Sequence, residues 1–71
     1  MHITIYLVNE WAGMYVNGEL VFENHDISVY DLASEVGEEE FTLEVISFIP
    51  EIEEFIKEHS TFPTLQSSLP I

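Results

Sequence analysis

Apolar and polar residues alternate from the start of the chain. Over residues 2–8, Ile3, Ile5 and Leu7 fall on one side of an extended backbone and His2, Thr4, Tyr6 and Val8 on the other. That period of two, with its β-branched residues, predicts a strand. Two further apolar stretches, 11–16 and 19–24, flank Asn17-Gly18. An Asn-Gly pair tolerates the positive φ angles of a type I′ turn, so it predicts a two-residue hairpin loop that sets Val16 opposite Glu19. Counting outward from that rung places Trp11, Tyr15, Leu20 and Phe22 on one face, the expected core. Ala12, Met14, Val16, Glu19, Val21 and Glu23 fall on the other. Met14, Val16 and Val21 make this second face a candidate contact patch unless a helix or the carboxy-terminal segment covers it.

The period then changes. Ser28 followed by Asp31 is a capping-box variant, and Ile27 ahead of it can pack on Leu32 as a hydrophobic staple. These signals predict a helix of about two turns through Val29, Leu32, Ala33 and Val36, closed by Gly37. After an acidic loop, Glu38-Glu39-Glu40, alternation resumes over 41–48 and predicts a last strand with Phe41, Leu43 and Val45 inward. Pro50 suits the first turn of a second helix, with Ile52, Phe55, Ile56 and His59 on its inner stripe. Glu51, Glu53, Glu54, Lys57 and Glu58 lie outside that stripe, and Glu53 with Lys57 makes an i, i+4 ion pair. Residues 60–71 carry no charge and two prolines, which reads as an extended tail that either packs on the sheet or hangs free. The order β-β-β-α-β-α predicts an α+β two-layer sandwich: a mainly antiparallel sheet with two short helices on one side. The expected division is a single acidic domain over 1–59 and the uncharged tail over 60–71.

Composition narrows the function classes. A chain of 71 residues makes one small domain, because at that size only about 60% of the unfolded surface is buried. With 46% hydrophobic residues it is too apolar for a disordered acidic chain. The absence of cysteine excludes a disulfide framework and a thiolate metal site, and favours an intracellular, cytoplasmic setting. No basic flank precedes the first apolar residues, so no secretory signal is expected. The apolar runs fall short of the roughly 18 residues that span a bilayer.

Charge changes the picture most. Fourteen acids against one Lys or Arg leave a formal net charge of −13, which repels phosphate backbones and anionic lipid. Direct binding to nucleic acid or membrane is therefore not expected. So much negative charge serves either solubility or a strongly basic partner.

Candidate chemistry is sparse. Among so many carboxylates some pair must lie close, but glycoside or other acid/base work needs a cleft that this length hardly provides. His25-Asp26 could begin a catalytic pair, although a turn with a solvated imidazole explains it as well and no nucleophile motif accompanies it. His2, His25 and His59 stand on three different elements, and Glu38-Glu39-Glu40 lacks the spaced oxygen ligands of a calcium loop. The expectation is no enzyme activity, no metal and no cofactor.

The acids themselves remain. Glu19 and Glu23 on the hairpin, Glu38, Glu39 and Glu40 in a loop, and Glu51, Glu54 and Glu58 on one side of a helix stud adjoining elements. If they form one field, the domain presents charge as a DNA backbone does to the groove of a nucleic-acid enzyme. In size and charge the chain resembles small virus-encoded inhibitors, such as uracil-DNA glycosylase inhibitors and anti-CRISPR or anti-restriction proteins. No motif is shared, so no residue role carries over. The function expected is a DNA-mimic inhibitor or modulator of a basic nucleic-acid-handling protein. The alternative is an interaction module or homodimer that uses Met14 and Val21 on the apolar hairpin face.

Overall fold

The computed structural model describes residues 1–47 and 49–71. The chain runs through β1 (His2–Val8), β2 (Trp11–Val16), β3 (Glu19–Asn24), α1 (Val29–Val36), β4 (Thr42–Ser47) and α2 (Pro50–His59), and ends past a 3-10 turn at Gln66–Ser68. Phe48, expected to close the last strand, lies outside the described residues.

The first hairpin forms as its turn residues dictate. Asn17 and Gly18 take φ values of 51° and 88°, and Val16 opposes Glu19. Asn17 also extends the β1–β2 ladder. Its side-chain oxygen accepts the His2 N–H at 2.9 Å, and its own N–H donates to the His2 carbonyl at 2.8 Å.

The sheet has four strands in the order β3-β2-β1-β4 and is mixed. β2 runs antiparallel to both β1 and β3, whereas β4 runs parallel to β1. This corrects the mainly antiparallel expectation, and the reason is connectivity. Two tight turns make β3 run with β1; the α1 crossover then returns the chain to its starting end, so β4 runs with β3 and hence with β1.

The helices lie on opposite faces, which corrects the two-layer arrangement. Leu32 and Val36 of α1 pack on Ile3, Ile5 and Met14. Ile52 and Ile56 of α2 pack on Tyr6 and Tyr15, whose side chains point the other way. The capping box at Ser28 and Asp31 is present, with Asp31 N–H donating to the Ser28 hydroxyl at 3.2 Å and Ser28 N–H to the Asp31 carboxylate at 2.8 Å. Gly37 closes α1 at φ 61° and ψ −122°, backbone angles that suit glycine. Val29, expected on the buried stripe, is instead exposed.

Three further expectations are corrected. Between Met14 and Tyr15 the β2–β3 register shifts: Tyr15 faces Leu20, but Met14 faces Phe22. The additional residue in β3, Val21, turns over everything beyond it. Phe22 therefore packs toward Met14 beside α1, and Glu23 joins the Trp11 side. Phe41, just ahead of β4, and Leu43 and Val45 within it were expected inward but are 41%, 45% and 54% exposed. A helix about 10 Å wide shelters roughly two strands spaced about 4.8 Å apart, and α1 sits over β1 and β2. On the other face Ile46 of β4 packs against the Tyr6 cluster. In α2, Lys57 pairs with Glu54 at 3.7 Å rather than with Glu53, and both side chains are so exposed that the pair contributes little.

The tail packs on the sheet. Phe62 and Leu69 are buried with Tyr6, Tyr15 and Ile52. Leu20 N–H donates to the Thr64 carbonyl and Gln66 N–H to the Gly18 carbonyl, both at 2.8 Å, so residues 64–66 line the outer edge of β3 at its hairpin end. The Tyr15 hydroxyl donates to the Pro63 carbonyl at 2.6 Å, and the Gln66 amide donates to the Tyr6 hydroxyl at 2.9 Å. Burial first, then the nearby Tyr6 and Glu23, pushes the Tyr15 hydroxyl far above the usual phenol range. It therefore stays a donor to Pro63.

Candidate acidic interaction surface

The register shift gives Glu23 a structural task. One carboxylate oxygen accepts the Trp11 indole N–H at 2.8 Å and the Phe62 N–H at 3.0 Å, and the other accepts the Thr61 hydroxyl. Burial opposes the charge here, but the hydrogen bonds from Thr61, Trp11 and Phe62 outweigh it and hold the carboxyl below its ordinary range. Glu23 thus clamps the tail to the hairpin, with three hydrogen bonds already drawn to its carboxylate.

A depressed carboxyl pKa makes the clamp pH-dependent. The stabilisation is complete above the ordinary glutamate range, where even the unfolded carboxyl is ionised, and is lost as pH falls through the lower, folded value. Glu23→Gln is expected to cost about 1–3 kcal/mol near neutral pH, with the gap to wild type narrowing below about pH 4. Urea melts of both proteins at neutral and acid pH check this. A gap that stays constant across that range would contradict it.

The other acids of the expected contact surface face solvent. Glu19 is exposed at the hairpin end of β3, and Glu38, Glu39 and Glu40 are exposed in the loop that leads into β4. Glu51, Glu54 and Glu58 are exposed on α2 at a spacing that puts them on one side of the helix. They occupy separate places: the triplet loop lies before β4, and α2 begins after it. β4 joins the two, with the exposed Glu44 at its middle. Sequence reasoning passed over Glu44, although its polar place within the 41–48 alternation was the available signal. Of the apolar candidates, Met14 is fully buried beneath α1 and presents no surface, while Val21 at the bulge is 40% exposed.

The remaining candidates sort themselves by their hydrogen bonds. His25 Nδ1 donates to the Glu10 carbonyl at 3.1 Å and its ring meets Trp11 edge-on, while Asp26 accepts the Ile27 N–H at 2.9 Å. Asp26 is engaged locally, as in the turn reading, whereas the His25 imidazole reaches across to the β1–β2 turn. His2 meets the Thr42 hydroxyl at 2.7 Å, and His59 stacks on Phe55 with centroids 4.1 Å apart. A surface depression of about 480 Å³ is lined by Leu7, Val8, Asn9, Glu10, Ser47 and Glu53. Among the described residues no nucleophile there is hydrogen-bonded to a base, and no three His, Asp or Glu side chains converge as metal ligands. Nor is any described helix long and apolar enough to cross a membrane.

No family model, curated protein or solved structure matches the chain.

Proposed function

We propose that the protein is a small, non-enzymatic binding protein that inhibits or modulates a basic, nucleic-acid-handling partner by offering carboxylates where that partner takes phosphates. The observation that carries this reading is the unspent charge. Fourteen acids face one Lys or Arg, and the Lys57–Glu54 pair is the one side-chain ion pair found among the described residues. Glu23, Asp26 and Asp31 are engaged within the fold. Glu19, Glu38, Glu39, Glu40, Glu44, Glu51 and Glu58 are exposed, and exposed carboxylates in such number steer a basic surface from a distance.

The test is capture of partners from a cell lysate on the immobilised protein, at about 50 mM and about 500 mM salt, where the Debye length falls from roughly 14 to 4 Å. Retention is expected to fall steeply with salt. Replacing Glu38, Glu39 and Glu40 together by Lys is expected to slow association about tenfold or more while changing stability by less than about 1 kcal/mol, since exposed acids add little to folding. Retention that ignores salt and this replacement, but is lost in Val21→Lys, would instead favour the interaction module or homodimer.

A further inference from the structure

We propose that the outer edge of β4 receives an extended, basic segment of the partner as an added strand, so that main-chain pairing and carboxylates act together. This inference rests on the reading of the chain as a binder of a basic protein and assigns the place where binding occurs.

The two edges of the sheet differ. The β3 edge is lined by the tail at its hairpin end, whereas the outward backbone of β4 takes no hydrogen bond from the described residues. Thr42 N–H donates to the Met1 carbonyl at 2.9 Å, which sets the phase of the parallel ladder. Main-chain groups of Thr42, Glu44 and Ile46 turn toward β1, and those of Leu43, Val45 and Ser47 turn outward. Open edges are usually blunted by proline, lysine, a bulge or a cover. Among the described residues the Thr42–Ser47 segment has no proline, lysine, bulge or cover and carries a single charge, Glu44, while its Leu43 and Val45 side chains stand half exposed beside Phe41.

Charge decides the occupant. β4 is about 20 Å long at roughly 3.3 Å per residue. Glu38, Glu39 and Glu40 precede it, Glu44 stands at its middle, and Glu51 and Glu53 follow in the first turn of α2. A second copy would bring the same acids against one another, each chain carrying −13. An extended segment alternating Lys or Arg with apolar residues fits both sides of the strand. Its cations lie along Glu44 and the flanking acids, and its apolar residues lie along Leu43 and Val45.

The experiment titrates the isotope-labelled protein with a capped peptide of alternating Lys and Val, about ten residues long, and follows backbone amides by NMR. The expected result is shifted signals and slowed exchange at Leu43, Val45 and Ser47. Val45→Pro removes an outward donor but no donor to β1, and is expected to weaken binding about tenfold or more; Glu44→Lys, which leaves the edge intact, is expected to weaken it too. The two variants and the unmodified protein report independently, so misfolding of one leaves the others decisive. No binding up to millimolar peptide overturns the inference. So does binding that shifts only Glu38–Glu40 or α2 amides and is indifferent to Val45→Pro, although the acidic-surface reading then stands. A peptide with Glu in place of Lys that protects the same amides as well overturns the basic occupant and the acidic-surface reading with it. Protection of these amides by self-association, without peptide, gives the edge to a second copy and overturns the inference.

Discussion

A chain ended at Ser60 is expected to be unfolded at room temperature. Phe62 and Leu69 are two of the five buried residues in the cluster beneath α2. Losing them removes about 3–6 kcal/mol of apolar burial, against a total stability of about 4–10 kcal/mol for a domain of this length. The loss does not stop there. The Tyr15 and Tyr6 hydroxyls lose Pro63 and Gln66, Glu23 keeps its charge beneath a missing lid, and the upper part of β3 loses its edge cover. Far-UV circular dichroism and amide dispersion should show a disordered chain. A cooperative melt close to that of the full chain would mean that the tail is an accessory to a self-sufficient domain.

The second large effect is expected at Gly13. A Cβ built there would lie 2.6–2.8 Å from three carbons of the Phe62 ring, and that ring is pinned between Tyr6 and Tyr15, with centroids 6.4 and 6.2 Å away. Gly13→Ala must therefore displace either the ring or β2, at a cost of about 1–3 kcal/mol. Phe62→Ala is expected to cost about 3–5 kcal/mol by leaving a cavity. Because the two changes compete for one space, the double variant should be no less stable than Phe62→Ala alone, and alanine suits a strand better than glycine. Denaturant melts of the four proteins check this. Additive costs would show that Phe62 does not sit on Gly13.

Local chemistry was legible in the sequence wherever a few neighbouring residues decide the outcome. Asn17-Gly18, the Ser28–Asp31 box, Gly37 and Pro50 each act within one turn of chain, and each element they predict is present. The register shift at Val21 was not legible, because no glycine or proline marks it; tertiary packing selects it. That one residue moved Glu23 from the set of free acids to the clamp on the tail. The inward face of β4 was misread for another reason. Alternation tells which residues share a face, not which face a neighbour covers, so Leu43 and Val45 looked like core and remained half exposed. The direction of β4 depends on where the α1 crossover returns, which no local motif encodes. For the tail, the signal was present as an absence of charge: in so acidic a chain, 12 uncharged residues from Ser60 to Ile71 that include Phe62, Leu65 and Leu69 are a segment kept compatible with a core.

The most direct test of the charge-mimic reading is competition for the captured partner. The partner is held on the immobilised protein and challenged with duplex DNA of about 20 base pairs at low salt, and its release is measured. If the exposed carboxylates occupy the groove that normally takes phosphates, DNA displaces the partner in proportion to its concentration, and the chain with Glu38, Glu39 and Glu40 replaced by Lys loses its partner at lower DNA concentration. A stable ternary complex, with DNA and this protein bound to the partner together and neither weakening the other, would contradict it.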